Sequence, residues 1–371
     1  MFQKKTIRDI DVEDQIVLIR TDYNVPLGTF TDDSEKAFEE QYISSDFRIR
    51  ASLPTIKYLI EHKASKLILI SHLGRPAGKD AKFSLRLVAE KLAELLPGTT
   101  VNFVDNISGA EVEASVEELP EGGILLLENL RFWPGEKEND TQFARDLVDS
   151  THASIFVQDG FAVTHRAHAS TDAIAKLLPA VAGLLVEKEV TMLQKAIETP
   201  DHPFTVIIGG AKVSDKQPLI QKFTSLADQV LVGGKIAADG YEAESPNIYV
   251  AEDFDENTDG ARLDIGPVST MKFVESIQNA KTVLWNGVLG FIEDPTYATA
   301  STIIAKALGE NSHLTSIICG GDTAGFVENL ISENPELQYS LISTGGGAAL
   351  ELLSGGELPG LASLEDRSSE S

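Results

Sequence analysis

In the first half of the chain, cationic and polar side chains recur directly after short apolar runs. Arg20-Thr21-Asp22-Tyr23-Asn24 follows Val17-Leu18-Ile19, and Ser71-His72-Leu73-Gly74-Arg75-Pro76 follows Lys66 to Ile70. Glu128-Asn129-Leu130-Arg131-Phe132 follows Ile124 to Leu127. Gln158-Asp159-Gly160-Phe161, running on to His165-Arg166-Ala167-His168, follows Ser154 to Val157. Guanidinium groups bind carboxylate and phosphate through paired hydrogen bonds, so arginines at equivalent places suit a small, multiply charged anion. A surface ion pair would account for any one of them alone, but not for the repetition. His72, His165 and His168 do not make a zinc site, because no cysteine lies near and an HxxH spacing alone is weak.

The second half places glycines at the same points. Gly209-Gly210-Ala211-Lys212-Val213-Ser214-Asp215-Lys216 follows Thr205 to Ile208, and Gly233-Gly234-Lys235 follows Val230 to Val232. Trp285-Asn286-Gly287-Val288-Leu289-Gly290 follows Thr282 to Leu284. Cys319-Gly320-Gly321-Asp322-Thr323 follows Ser316 to Ile318, and Ser343-Thr344-Gly345-Gly346-Gly347 follows Tyr339 to Ile342. Glycine lets backbone approach a ligand, and a helix start after it presents free N–H groups to phosphate. Lys212 and Lys216 add positive charge, and Asp322 is suited to a divalent ion beside phosphates. Each glycine pair alone is also what an ordinary turn requires. No GxxxxGK[ST] follows a strand, no GxGxxG opens a helix after the first strand of either half, and the protein-kinase motif set is missing.

Those positions have to be held by an alternation of short buried strands and helices. Segments with helical spacing, such as Ser84 to Leu96, Thr141 to Ser150 and Thr299 to Leu308, separate the apolar runs, which predicts βαβ units and parallel sheets. The run of strands fits two doubly wound sheets better than one, so the fold class is α/β with two Rossmann-like domains, and ligands belong beyond the carboxyl ends of the strands. Leu184 to Glu198 reads as a long connecting helix with Leu184, Leu185, Met192, Leu193 and Ile197 on one side and charges on the other. Thr199-Pro200-Asp201-His202-Pro203 ends it. Thr31 to Glu40 reads as an acidic exposed loop and Glu365 to Ser371 as a frayed tail.

Composition bounds the rest. A length of 371 residues suggests about two domains. With 31 basic and 57 acidic residues the net charge is −26, which argues against a generic nucleic-acid or anionic-membrane binder. A single cysteine, Cys319, excludes an internal disulfide framework. No run reaches the apolar length of a membrane span, and the first residues carry no secretory apolar core, so a cytoplasmic protein is expected.

Taken in order, RTDYNVPL, FRIRASLPTI, SHLGRP, LLENLRF, HRAHAS, GGAKVSDK, WNGVLGF, GGDT and STGGGAALE resemble the phosphoglycerate kinase family over nearly the whole chain. The resemblance implies reversible phosphoryl transfer between 1,3-bisphosphoglycerate and MgADP, giving 3-phosphoglycerate and MgATP. It implies a substrate domain over residues 1–183 with a returning segment 353–371, a connector over 184–199 and a nucleotide-binding domain over 200–352. Asp22, Asn24, Arg48, His72, Arg75, Arg131 and Arg166 would surround 3-phosphoglycerate, with Arg48 stabilising the transferring phosphoryl group. Asp22 would accept from the substrate hydroxyl or orient an arginine; the residues alone also allow an acid capping the turn at Asn24. Gly210, Lys212, Lys216, Gly233, Asn286, Glu293, Gly321, Asp322 and Thr323 would bind nucleotide, with Glu293 at the ribose and Asp322 holding Mg2+. Arg48, Lys216 and Gly346 would form the catalytic set. The partners implied are small molecules acting on a monomer, with neither nucleic acid nor membrane. Hinge bending is implied, with the connecting helix, Ser343-Thr344 and Leu358-Pro359-Gly360 as hinge positions.

The pattern departs from the family in places. Between Gly233-Gly234 and Leu263-Asp264-Ile265-Gly266 the chain is several dozen residues short, in a region that contributes to the adenine pocket. Val288 replaces a proline, Cys319 replaces a glycine, Phe161-Ala162 replaces Phe-Gly, and the loop from Gly28 to Tyr42 is longer and acidic. The competing readings are a binding protein of the same fold whose catalysis has decayed, and an unrelated α/β enzyme such as a dehydrogenase. Retention of Arg48, Lys216 and Asp322 argues against the first, and absence of the dinucleotide fingerprint against the second.

Overall fold

Leucine-, isoleucine- and valine-rich strands buried on both faces build two parallel sheets. The computed structural model describes residues 2–30 and 40–367, so most of the acidic loop read at Thr31 to Glu40, and the tail beyond Arg367, lie outside the described residues. The chain divides into two units. One runs to Lys188 and is joined by the stretch from Glu357; the other is Glu189–Gly356.

In the first unit, β1 (Ile16–Arg20), β2 (Lys66–Ile70), β3 (Val101–Val104), β4 (Gly123–Leu127), β5 (Ile155–Gln158) and β6 (Ala180–Ala182) form a sheet in the order β3-β4-β2-β1-β5-β6. In the second, β7 (Phe204–Ile208), β8 (Gln229–Val232), β9 (Ile248–Val250), β10 (Thr282–Asn286), β11 (Thr315–Cys319) and β12 (Leu341–Ile342) lie in the order β9-β8-β7-β10-β11-β12. Every pairing in both sheets is parallel. Val17, Ile19, Leu67, Leu69, Ile124 and Leu126 share one core with Ile49, Leu53 and Ile56 of the helix Phe47–Glu61. Ile207, Leu231, Val283, Trp285 and Ile318 share the other with Phe273, Ile304 and Leu308. Burying each such side chain contributes about 1.5–3 kcal/mol. Helices Arg86–Leu95, Thr141–Thr151 and Thr299–Gly309 stand where the apolar spacing predicts them. Among the described residues no helix is long and apolar enough to cross a membrane.

In each sheet the strand order reverses beside the first strand, between β1 and β5 and between β7 and β10. Such reversals leave a crevice at the carboxyl ends, the usual ligand position in open α/β sheets. Arg20 to Asp22 and Gln158-Asp159 stand at the first reversal, Gly209-Gly210 and Asn286-Gly287 at the second.

Two expectations are corrected. Of the stripe assigned to the connecting helix Leu184–Glu198, only Leu193 is fully buried; the buried face is Val186, Glu189, Val190, Leu193 and Ala196. Glu189 therefore leaves the solvated side, and its carboxylate is matched by hydroxyl and amide donors described below. The described part of the tail is not frayed. Lys5 and Arg367 donate backbone N–H to Glu365 and Gln3 at 2.8 Å. Lys4 pairs with Asp366 at 2.7 Å, Lys5 with Glu365 at 2.8 Å and Arg367 with Asp9 at 2.9 Å. Lysines on one terminal stretch face acids on the other, and Arg367 faces Asp9, so opposite charges match in this register.

The first turn of the connecting helix is capped within the first unit. Leu184 N donates to Thr55 Oγ1 at 2.9 Å and Leu185 N to Asp159 Oδ1 at 3.1 Å, satisfying donors that a helix start leaves open. A β-carbon on Gly183 would sit 2.0 Å from Asp159 Oδ1, so this approach needs glycine.

In the second unit three strand-end loops pack backbone to backbone. Gly209 N donates to Asn286 O at 3.0 Å, Gly210 N to Val288 O at 2.8 Å and Gly233 N to Ile208 O at 2.9 Å. Gly287 has φ +100°, and a β-carbon there would lie 2.2 Å from Gly209 O. Gly287→Ala is expected to lower the unfolding free energy by about 2–3 kcal/mol. Gly325→Ala, with nothing within 4 Å of the added carbon, should leave it unchanged or raise it by about 0.5–1 kcal/mol. Urea unfolding followed by circular dichroism compares the two, and equal effects would contradict the packing argument.

Candidate functional site

The first crevice gathers cations around buried acids. Arg48, in the first turn of helix Phe47–Glu61, pairs with Asp22 Oδ2. Asp22 Oδ1 also accepts Asn24 N at 3.2 Å, so this acid both orients an arginine and shapes the turn. Asn24 Oδ1 in turn accepts Gly74 N at 2.7 Å, tying the loops after β1 and β2. Arg131 donates to Gly74 O at 2.6 Å, and Asn129 Nδ2 donates to Leu73 O at 2.7 Å, which adds the loop after β4. Asp22, Asn24, Arg48, His72 and Arg131 thus come together. Arg166 lies close enough to Arg131 to act on its charge, and both Arg166 and Arg75, which follows Gly74, are exposed.

The electrostatics are those of a site short of negative charge. Burial, and then the nearby Arg20, push the Arg131 guanidinium down to about 10. Its Nε is buried without a partner, an unmet donor in a cationic pocket. His72 is buried, and desolvation followed by Arg20, Arg131 and Arg48 holds its pKa well below the ordinary histidine value.

Two further residues of this crevice are absent from the residues singled out for the substrate. Arg20, the last residue of β1, and Glu136, in the short helix Pro134–Lys137, are both wholly buried, with Arg20 NH2 3.8 Å from Glu136 Oε1. Glu136 accepts Ser170 Oγ at 2.7 Å and Ser170 N at 3.0 Å. Nothing in the local pattern Trp133-Pro134-Gly135-Glu136-Lys137 marks Glu136, since an acid in a first helical turn reads as solvated. His168 brings Nδ1 to 3.6 Å from Glu136 Oε1, longer than a hydrogen bond.

In the second crevice Lys216, on the helix Val213–Thr224, donates from Nζ to Asn286 Oδ1 at the end of β10. Asn286 is fully buried and its Nδ2 has no partner, a second unmet donor. Thr323 Oγ1 accepts Gly287 N at 2.9 Å. Lys216, Asn286 and Thr323 therefore meet around the glycine loops, and a β-carbon on Gly210 would lie 3.7 Å from Lys216 Cε. Gly321 and Gly346 stand at the starts of helices Gly321–Glu333 and Gly347–Ser354, with open space where a β-carbon would lie. Lys212, Glu293 and Asp322 are exposed. Gly233 packs inward, where a β-carbon would sit 2.7 Å from Leu289 Cδ2. Cys319 is the last residue of β11, paired in register with Asn286, and its buried thiol is pushed up by desolvation. The turn beyond it is made by Gly320 at φ +93°, so the cysteine fills core space without crowding that turn.

Among the described residues, Asp322 in the first turn of its helix offers a metal a carboxylate at this end. Among the described residues no group of three His, Cys, Asp or Glu side chains is placed to hold an ion. A carboxylate beside N–H donors suited to phosphate fits Mg2+, which keeps water and phosphate oxygens as most of its ligands.

Comparison with known proteins gives one answer. The phosphoglycerate kinase family model matches residues 7–249 and 239–356. A phosphoglycerate kinase of Dictyoglomus turgidum is 40% identical over 98% of this chain and 100% of its own length. That of Herpetosiphon aurantiacus is 41% identical, with 98% and 100% covered. The solved phosphoglycerate kinase of Pyrococcus horikoshii superposes with a TM-score of 0.82 at 27% identity, covering 97% of this chain and 98% of that one. The Coxiella burnetii structure gives 0.73 at 29% identity over the same shares. The alignment to the Dictyoglomus relative runs to 414 positions on a chain of 371 residues, and the family match overlaps itself at 239–249. That overlap falls in the stretch after Gly234 where the sequence is short.

Within the second unit the loop before Gly346 is anchored by Glu189. Its carboxylate accepts Ser343 Oγ at 2.5 Å, Thr344 Oγ1 at 2.6 Å and Thr344 N at 3.0 Å. Glu189→Gln leaves this set undersatisfied and is expected to cost about 1–3 kcal/mol of stability. Glu187→Gln, which breaks half-exposed pairs with Arg8 and Arg367, should cost less than about 1 kcal/mol. Paired denaturation curves measure the difference, and equal losses would rule out the buried anchor.

Proposed function

The chain belongs to the phosphoglycerate kinase family, and from that premise we propose how its two units divide the reaction. The enzyme is a phosphotransferase that moves a phosphoryl group between 1,3-bisphosphoglycerate and ADP, giving 3-phosphoglycerate and ATP. The first unit takes 3-phosphoglycerate through Arg48, Arg75, Arg131, Arg166, His72 and Asn24, with Asp22 orienting Arg48. The second takes the nucleotide through Lys212, Lys216, Asn286, Thr323 and the backbone at Gly210, Gly233, Gly321 and Gly346, with Glu293 toward the ribose. Asp322 would hold Mg2+, which supplies charge neutralisation on the phosphates. The observation that carries this reading is the convergence of Asp22, Arg48, His72 and Arg131, where an unmet Arg131 donor awaits an anion.

Phosphoryl transfer needs alignment and charge cancellation more than covalent help. Arg48 is held by Asp22 and keeps part of its surface exposed, so its guanidinium is oriented before substrate arrives. Lys216 is held at Asn286 Oδ1 and carries a mobile ammonium suited to following a phosphoryl oxygen as charge shifts. Both groups supply positive charge to offset the negative charge that the equatorial oxygens of the transferring group carry in the transition state. The reaction brings donor and acceptor oxygens into line and excludes water from the transferring group. The same reading includes a monomer acting on small molecules in the cytoplasm, without nucleic acid or membrane.

The test is ATP consumption with 3-phosphoglycerate and Mg2+, coupled to reduction of the acyl phosphate formed. Arg48→Ala and Lys216→Ala are each expected to lower kcat by at least about 100-fold. Values within about threefold of the parent would overturn the assignment of charge stabilisation to these two residues. With a net charge of −26 the local positive field must draw substrate in, so the apparent on-rate should fall as salt rises. A salt-independent on-rate would contradict such steering.

A further inference from the structure

We propose that Arg20, Ser170 and Glu136 are positioning residues that hold His72 as a neutral imidazole with its proton on Nε2, a fixed donor for the anionic substrate. The identity of that anion rests on the functional reading above; the state of the ring does not.

Arg20 and Glu136 are both at 0% exposure, so neither charge is tolerable without the other and without further hydrogen bonds. The bonds are present. Arg20 Nε donates to Ser170 Oγ at 2.7 Å, and Ser170 Oγ donates onward to Glu136 Oε1 at 2.7 Å. Ser170 N closes the set on Glu136 Oε2 at 3.0 Å. Arg20 NH1 donates to Thr21 O. The remaining direction of the fork, NH2, points at His72 Nδ1 at 3.2 Å.

A guanidinium has donors only. Nδ1 of His72 must therefore be the acceptor, and a neutral ring then carries its proton on Nε2. Asp22 Oδ1 lies 3.9 Å from the same Nδ1, beyond hydrogen-bond length, and does not compete for it. The Asp22 charge at that distance favours a positive ring, but desolvation, Arg20, Arg131, Arg48 and His168 all oppose one and outweigh it. An ordinary histidine would change charge across the physiological range. This one presents an N–H in one direction at all those pH values, while the surrounding arginines supply the charge. Lysine could not replace Arg20, because a single ammonium cannot serve Ser170, the Thr21 carbonyl and His72 in one plane.

The direct test is long-range nitrogen–proton NMR on the 15N-histidine-labelled enzyme, with His72 assigned by its loss in His72→Gln. From about pH 5.5 to 8 the ring should remain neutral with its proton on Nε2. An imidazolium forming near the ordinary value of about 6.5, or a proton on Nδ1, would overturn the proposal. A kinetic arm uses Arg20→Met combined with Glu136→Gln, which removes the buried pair together and strands no charge. Its KM for 3-phosphoglycerate should acquire a pH dependence beyond the parent's, about threefold or more between pH 6 and 8, with a smaller change in kcat. A pH profile parallel to the parent's would reduce the pair to a packing role and also overturn the proposal. Should the double variant fail to fold, the NMR result on the parent enzyme decides alone. Because that arm needs no substrate, absence of 3-phosphoglycerate turnover would count against the functional reading and not against the tautomer.

Discussion

Arg20, the last residue of β1, and Glu136, in the helix Pro134–Lys137, are shut away from water, and their neighbours are arranged to make that burial tolerable. Ser170 bridges the pair, Thr21 O takes one end of the guanidinium, and His72 takes the other. The consequence reaches the surface layer. With Asp22 engaged by Arg48 and Glu136 engaged by Ser170 and Arg20, these acids are already spent beside Arg75, Arg131 and Arg166, the arginines that the proposed function assigns to an anion. In a chain with 57 acidic residues, cations on an open surface would be screened by neighbouring carboxylates. Placing the compensating acids below the cations keeps the field directed outward.

The second unit solves a different problem, close approach without side chains. Gly209, Gly234 and Gly287 are needed first for loop against loop, because a β-carbon at any of them would collide with neighbouring backbone. The tight contact fixes Asn286, which receives Lys216 on one side and leaves Nδ2 open on the other. Glycine at Gly321 and Gly346, by contrast, opens onto space at helix starts, whose N–H donors the proposed function gives to phosphate oxygens. The departures Cys319 and Val288 do not disturb this logic: the first is a core side chain within β11, and the second takes part through its carbonyl, which accepts Gly210 N.

What the sequence made legible was whatever repeats with a strong period or sits in a specific motif. KLILI and the second unit's central strands are nearly continuous apolar runs, and they are central strands. Of the strands in the two parallel sheets, those that escaped, Val101–Val104, Ala180–Ala182 and Ile248–Val250, stand at the ends of the strand order. Asn102 is exposed, and Ala180–Ala182, bonded on its outer side to Lys5, Ile7 and Glu365, is built from small residues, so the apolar signal weakens. Arginines were legible because their positions repeat. Glu136 and Glu189 were not, because a buried acid on a helix differs from a solvated one only through distant partners such as Ser170 or Thr344. A helical period assigns charge to water by default, and tertiary donors overrode it at both residues.

The central claim is that the first unit presents a preorganised anion site whose charge is held from beneath by buried acids. A crystal structure with 3-phosphoglycerate bound tests it most directly. The account predicts the ligand's phosphate and carboxylate on Arg48, Arg75, Arg131 and Arg166, with His72 donating through Nε2 and Arg20 and Glu136 unmoved and out of contact. A ligand bound directly by Arg20, with Glu136 displaced, would contradict it, as would a ligand that leaves these arginines untouched.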